Sequence, residues 1–171
     1  MQEPQCKFDE YPEGFENQNP DYISKNFNYS ELIASNTATR LGIDNTPDEI
    51  IKKNLKDSVI NLHQKVRDLL GYPMTISSGY RCHKLNVKVG GAVDKYGKST
   101  SDHCYGYAID FTCPRFGTPQ EIVKFLSKEL PKRGIPFHNL ILEFPQSPNS
   151  WVHLSWKNRH GAQKNKNFII Q

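Results

Sequence analysis

The sequence predicts an α+β domain in which a small antiparallel sheet carries helices packed on one side. Helical periodicity occupies the front of the chain, and alternating strands come mainly at its back, which together favour this class. With 171 residues, the chain is long enough for one domain of ordinary size. We divide it into an extended N-terminal arm (1–27), a main domain (28–157) and a basic C-terminal tail (158–171).

The first elements of the main domain are predicted to be helical. A short helix is expected near residues 29–36. Thr46 is a good N-cap, Pro47 suits a first helical position and Glu49 completes a capping box, so a long helix is predicted from there to Gly71. Its apolar residues recur at steps of three and four and predict one buried face: Ile50, Ile51, Leu55, Val59, Leu62, Val66, Leu69 and Leu70.

Four strands are predicted after the long helix. Residues 74–77 form a short run that leads into a turn, and residues 107–112 alternate between apolar and small or polar side chains. Residues 139–144 and 151–156 alternate in the same way. The turn-rich stretch 145–150 joins this last pair, which predicts a hairpin.

A second capping box predicts another helix between these strands. Thr118 supplies the N-cap, Pro119 follows it, and Glu121 stands at the third helical position. The residues after it repeat at helical spacing, and the inward stripe is expected to be Ile122, Phe125, Leu126 and Leu130.

Composition and charge exclude several classes of protein. Hydrophobic residues make up 36% and charged residues 23%, and no apolar run approaches the ~20 residues that span a bilayer. The formal net charge is +4, and residues 156–171 hold four basic residues and no acid, which suits an anionic polymer such as cell wall. Aromatic and basic residues do not interleave, so nucleic-acid recognition is not predicted. No secretory signal peptide is visible at the N-terminus.

The four cysteines are not arranged as metal-binding or redox pairs. Cys6, Cys82, Cys104 and Cys113 show no CxxC spacing, and we expect free thiols rather than a disulfide framework. Cys82 with Cys104 is the one conceivable pairing.

Strand alternation singles out three ionisable residues. His153, Glu143 and Asp110 each lie opposite the three-residue apolar face of their strand, on a side where small or polar neighbours leave room. With His103 seven residues before Asp110, they predict a metal site. Two imidazoles and one carboxylate are a common catalytic zinc set, which leaves the fourth position for water or substrate. We expect His63 to be structural.

The segment around His103 resembles a known family. Residues 101–110 fit the SxHxxGxAxD pattern of the zinc D-Ala-D-Ala carboxypeptidase-type metallopeptidases, which share the hedgehog fold. The upstream residues 78–81 (SGYR), Asn86 and Gly90-Gly91 match the stretch that precedes this pattern, and residues 151–153 (WVH) match the strand of the last ligand. The resemblance covers roughly residues 28–157, and residues 41–47 resemble the phage-type branch of the family.

The resemblance implies roles for individual residues. His103, Asp110 and His153 would bind zinc. Arg81 would hold a carboxylate or carbonyl of the peptide substrate with its fork of fixed donors, and Ser101 would lie beside that substrate.

The general base is expected to be Glu143. Several relatives place a glutamate three residues before the last histidine, but that position here is Ser150. Other relatives place a glutamate at the end of the preceding strand, where Glu143 stands, with a somewhat longer hairpin following it.

The resemblance also implies a function. We expect a zinc peptidase that hydrolyses peptide stems or cross-links of bacterial peptidoglycan, as carboxypeptidase or endopeptidase. The alternative is a non-catalytic zinc-binding structural or docking module of the same fold. We expect a phage or prophage protein that a holin releases from the host cytoplasm to the cell wall, or that a virion carries.

Overall fold

The structure, a computed structural model, describes residues 19–170, and for residues 167–170 it describes the backbone alone. Most of the predicted arm lies outside this range. Its described end forms a strand, β1 (Tyr22–Ser24), which pairs with β2 (Phe27–Asn28) in an antiparallel ribbon. Two short helices follow, α1 (Tyr29–Ile33) and α2 (Asn36–Leu41), where the sequence predicted one.

The long helix is confirmed, but it begins later than predicted. Helix α3 (Glu49–Ser58) has Asp48 as its N-cap, because the Asp48 carboxylate accepts a hydrogen bond from the Ile51 N–H at 2.8 Å. Thr46 therefore lies outside the helix. The chain continues through a π-helical segment (Val59–His63) into α4 (Gln64–Leu70), which ends before Gly71 as predicted.

Most of the predicted buried face of this helix is confirmed. Leu55, Val59, Leu62 and Val66 are buried in the core. Ile50 is the exception: it is 72% exposed, whereas its neighbour Ile51 packs against the core.

A five-stranded sheet forms the back of the molecule in the order β3-β4-β6-β5-β7. The four predicted strands are confirmed to within one residue at each end: β3 (Thr75–Ser78), β4 (Ala108–Thr112), β5 (Asn139–Glu143) and β6 (Trp151–Ser155). All neighbouring pairs among these four are antiparallel.

The fifth strand was not predicted. Strand β7 (Lys166–Ile170) pairs with β5 in parallel, so the segment interpreted as a basic tail ends in the sheet. The sequence signal for this strand is the apolar run Phe168, Ile169 and Ile170, which follows the lysines at 164 and 166.

The two remaining helices are α5 (His83–Lys88) and α6 (Pro119–Lys132). The predicted capping box of α6 is present, because the Glu121 carboxylate accepts from the Thr118 N–H at 2.7 Å and the Glu121 N–H donates back to the Thr118 hydroxyl. Its buried stripe contains Val123 besides Ile122, Leu126 and Leu130, while Phe125 is partly buried.

One face of the sheet packs on the helices and the other face is open. Alternate strand residues join residues of α3, the π-helical segment, α4 and α6 in one core cluster: Ile109, Phe111, Leu140, Leu142, Val152 and Leu154. Their neighbours in sequence therefore point to the opposite face, where the polar side chains lie. None of the helices in the described range is long and apolar enough to cross a membrane.

Gly79 allows two backbone segments to approach closely. A Cβ atom at this position would collide with the backbone of Leu32, and the next N–H, that of Tyr80, donates to the Leu32 carbonyl at 2.7 Å. The turn after β3 therefore packs directly on the backbone of α1.

We expect Gly79→Ala to lower the free energy of unfolding by about 1–3 kcal/mol, because the backbone of α1 must move away from the new methyl group. Denaturant unfolding of the metal-free protein measures this. The neighbouring substitution Ser78→Ala adds no atom and serves as the control. Equal stability of the two variants would contradict the tight approach.

Candidate metal centre and active-site cleft

The open face of the sheet forms the floor of a cleft of about 680 Å³. Asp110 of β4, His153 of β6 and Glu143 of β5 line it, together with Arg81 from the turn after β3 and His103 from a short 3₁₀ helix. Asp110 pairs directly with His153 in the β4–β6 register, so both side chains leave the sheet on the same side.

His103, Asp110 and His153 converge on one point. The distance from His103 Nε2 to Asp110 Oδ1 is 3.2 Å, from His103 Nε2 to His153 Nδ1 3.2 Å, and from His153 Nδ1 to Asp110 Oδ1 2.9 Å. Ligand atoms about 2.0–2.1 Å from a tetrahedral zinc ion lie roughly 3.3 Å from one another. The spacing of these three atoms therefore fits three of the four ligand positions around a tetrahedral zinc ion.

The protonation of His103 also fits a metal ligand. Its Nδ1 donates to the Gly79 carbonyl at 2.7 Å, which leaves Nε2 with a lone pair directed at the other two groups. A backbone carbonyl is a usual outer partner of a metal-binding histidine. An imidazole lone pair and a carboxylate oxygen 3.2 Å apart need a cation or a proton between them.

Helix α3 positions the short 3₁₀ helix Asp102–Tyr105 that carries His103. The Asn54 amide donates to the Tyr105 carbonyl, and the Ser58 hydroxyl donates to the Gly106 carbonyl, each at 3.0 Å. Gly106 has φ +73°, and a Cβ atom there would meet the Ile51 carbonyl at 3.0 Å, so a larger residue would separate the loop from the helix.

Burial and charge act against each other in the three convergent residues. Burial alone would raise the pKa of Asp110, but the charges and hydrogen bonds of the two histidines hold it well below its usual range. Burial lowers the pKa of His153, yet hydrogen bonding to Asp110 raises it overall. Burial dominates at His103 and lowers its pKa. The carboxylate therefore stays ionised, as metal binding requires.

Glu143 lies at the hairpin end of the same cleft. It pairs with Trp151, two residues from His153, on the face that the alternation predicted. Burial raises the pKa of Glu143, and the charge of Asp110 adds to this, while His153 and Arg81 lower it. Its carboxyl group is thus half-buried among charged groups and close to the convergent site.

Arg81 also lines the cleft. The backbone N–H of Arg81 donates to the His103 carbonyl at 3.3 Å. The Asn45 side chain holds the surrounding turn, since its amide donates to the Tyr80 carbonyl and its oxygen accepts from the Cys82 N–H. The Arg81 Nε is buried and has no hydrogen-bond partner in the described part of the chain. The Arg81 side chain therefore lies at the cleft with an unpaired Nε–H donor.

Ser101 lies beside His103 on the cleft wall, where the resemblance places it. Sequence reasoning missed its neighbour Asp102, a buried carboxylate that accepts from the Asn139 amide at 3.4 Å and lies 3.9 Å from His138. The sequence could have predicted Asn139 as a cleft residue, because Asn139 shares the strand face of Glu143. Asp102 and His138 lie outside the strands and had no such signal.

The cysteines of the described range are free thiols, as expected. Cys82, Cys104 and Cys113 form no disulfide, so the conceivable Cys82–Cys104 pairing is not present. Cys6 lies outside the described residues.

His63 is buried behind the site and does not line the cleft. It is 1% exposed, and neither ring nitrogen has a hydrogen-bond partner among the described residues. Burial, followed by the charges of His153 and His103, lowers its pKa to about 3. His63 is therefore neutral in the folded protein at physiological pH.

We expect this neutral histidine to cost stability in acid. The unfolded chain takes up a proton below about pH 6.5, whereas folded His63 does so only near pH 3, so stability falls by about 1.4 kcal/mol per pH unit in between. The metal-free wild type should lose this stability relative to His63→Leu between pH 6.5 and 5. The exposed variant His160→Leu is the control, and parallel pH curves for wild type and His63→Leu would refute the expectation.

Comparison with known proteins agrees with this geometry. A family model described as Peptidase M15 matches residues 25–155, a range that holds Arg81 and all three convergent residues. A search of curated proteins finds no match to the chain. Members of this family depend on zinc, and the buried group of two histidines and one aspartate suits that ion. Because the match covers most of its length, the chain belongs to the M15 family of zinc metallopeptidases.

Proposed function

We propose that this peptidase hydrolyses peptide bonds in the stems or cross-links of bacterial peptidoglycan. The observation that carries the proposal is the arrangement of Glu143 and Arg81 around the convergent group in a single open cleft. The M15 membership supports the substrate class.

Glu143 acts as the general base in this proposal. Zinc held by His103, Asp110 and His153 would polarise the scissile carbonyl and acidify the attacking water. The Glu143 carboxylate takes the proton of that water and passes it to the leaving amine. A half-buried carboxylate with a raised pKa suits both transfers, because a raised pKa makes the carboxylate a stronger base toward the attacking water.

Arg81 and Ser101 orient the peptide. The Arg81 guanidinium donates to a substrate carboxylate or carbonyl, and its place in the cleft lining and its unpartnered Nε support this role. The Ser101 hydroxyl lies on the same wall and donates to the bound peptide. A phage or prophage origin and delivery to the wall by a holin or a virion stay predictions from the resemblance.

We expect Arg81→Lys to lower kcat/KM at least about tenfold with zinc content unchanged. Lysine keeps the positive charge but loses the planar pair of donors that fits a carboxylate. Steady-state kinetics on soluble stem peptides, with zinc measured on the same samples, gives the result. Lys124→Arg, on the exposed side of α6, is the control. Near-normal kcat/KM in Arg81→Lys would assign Arg81 a structural role only.

A zymogram tests the proposed function. Purified peptidoglycan in a gel should clear around the wild-type band, should stay intact with a chelator, and should clear again after zinc is restored. Mass spectrometry of the released fragments then identifies the cleaved bond. Stoichiometric zinc without any clearing would contradict the proposal and favour the non-catalytic zinc module.

A further inference from the structure

The cleft has two chemically different ends. Strand β6 crosses its floor, and His153 stands in the middle of this strand opposite Ile141. Beyond Glu143, at the hairpin end, the rings of Phe144 and Trp151 pack with their centroids 5.2 Å apart. At the other end, past the last residue of β6, Arg159 and His160 line the cleft. A peptide bound across His153 thus reaches an aromatic wall on one side and a cationic wall on the other.

A rigid turn presents Arg159. The Asn158 side chain accepts hydrogen bonds from the N–H groups of His160 and Ala162, and the Asn158 carbonyl accepts from the N–H of Gly161. These contacts close the turn on itself, so the backbone on both sides of Arg159 is fixed.

The guanidinium of Arg159 is oriented but not neutralised. Within residues 19–170, its polar contacts are a hydrogen bond from Nε to His160 Nε2 at 3.0 Å and a loose ion pair of Nη1 with Asp94 at 3.9 Å. Neither contact uses Nη2, and the side chain is about one-third exposed. Donors are therefore left for a ligand in the cleft.

The surroundings of this end add to its positive charge. Burial lowers the pKa of His138, Asp102 raises it, and the charges of Lys164 and Lys166 lower it further. Strand β7 pairs Lys166 with Asn139 of the cleft lining, so the exposed Lys166 and the nearby Lys164 lie at this end of the cleft. An anionic group bound beside Arg159 would be attracted by these cations, while the carboxylates of Asp94 and Asp102 offset part of the attraction.

We propose that Arg159 binds a second carboxylate of the substrate, so that the enzyme prefers stem peptides with a free internal carboxylate over those in which it is amidated. The inference rests on the proposed function and deepens it. Arg81 binds the carboxylate or carbonyl next to the scissile bond, and Arg159 recognises a second carboxylate farther along the substrate peptide.

Equilibrium binding tests this selection without turnover. The full chain carrying Glu143→Gln, loaded with zinc, is titrated calorimetrically with two synthetic stem peptides that differ only in one internal group, a free carboxylate or a primary amide. The acidic peptide should bind at least about tenfold more tightly, which corresponds to one charge-assisted hydrogen bond. Adding Arg159→Gln should abolish this preference, and Arg159→Lys should reduce it. Adding Arg115→Gln, an exposed arginine stacked on Tyr72, should leave it unchanged.

Three results would overturn the inference: equal binding of both peptides by the Glu143→Gln protein, a preference that survives Arg159→Gln, or no binding of either peptide. Melting temperatures of the variants show whether the turn still folds. Wild-type hydrolysis of peptidoglycan separates the two proposals. If the wild type cleaves peptidoglycan but the preference for the acidic peptide does not depend on Arg159, the inference alone fails. If the wild type does not cleave peptidoglycan, the proposed function fails.

Discussion

Glu143→Gln is expected to lower kcat by about 10²–10⁴-fold while the fold and the zinc content stay unchanged. Glutamine has the shape of glutamate but cannot take a proton from the attacking water, so the loss reports general-base catalysis directly. Glu143 is not one of the three convergent residues, which is why zinc binding should survive. Single-turnover and steady-state rates on soluble stem peptides measure the effect.

The matched control for this variant is Glu129→Gln on α6, where the carboxylate pairs with Arg133 away from the cleft. It should keep wild-type kcat. Activity of Glu143→Gln within twofold of wild type would exclude Glu143 as the base. Since His138 also lines the cleft and its imidazole can accept a proton, His138→Gln would then be the next variant.

Asp110→Asn is expected to weaken zinc binding by at least about 100-fold and to abolish hydrolysis at stoichiometric zinc. The amide keeps the shape of the carboxylate but removes the negative charge that faces both histidines at 2.9 and 3.2 Å. Loss of outer-sphere partners alone costs 10–100-fold in metal affinity, so loss of a direct ligand should cost more. Competition with a chromophoric chelator measures the affinity.

Thermal unfolding provides a second measurement of the same substitution. Zinc should raise the Tm of the wild type, because it binds the folded state, and should leave the Tm of Asp110→Asn nearly unchanged. Asp102→Asn changes a neighbouring buried carboxylate outside the convergent group and is the control. Equal zinc affinity of wild type and Asp110→Asn would contradict the assigned site.

The side on which the site lies could be predicted from the sequence because strand alternation leaves little choice. Asp110 and His153 occupy the face opposite the core-facing apolar residues of their strands, and the observed register pairs them directly. The position of Glu143 followed from the same rule. Its role as base stays a prediction, since a strand face specifies where a side chain points and not what it does.

Other features depend on contacts that the sequence does not display. Thr46 and Asp48 are both good N-caps, and the helix begins at Asp48 because Asp48 reaches the Ile51 N–H. The apolar run of strand β7 favours a strand, but nothing in that run specifies parallel pairing with β5. The position of Arg159 at the cleft depends on the turn that Asn158 closes around it.

The most direct test of the account is a titration of hydrolysis with zinc. Metal-free wild type is supplied with zinc in fractions of an equivalent, and new amino groups released from purified peptidoglycan are counted at each step. We predict no release without metal and a rate that rises linearly and levels off at one equivalent, because residues 19–170 contain a single group of convergent ligands. Binding of one equivalent of zinc with no release of amino groups at any ratio would contradict the account.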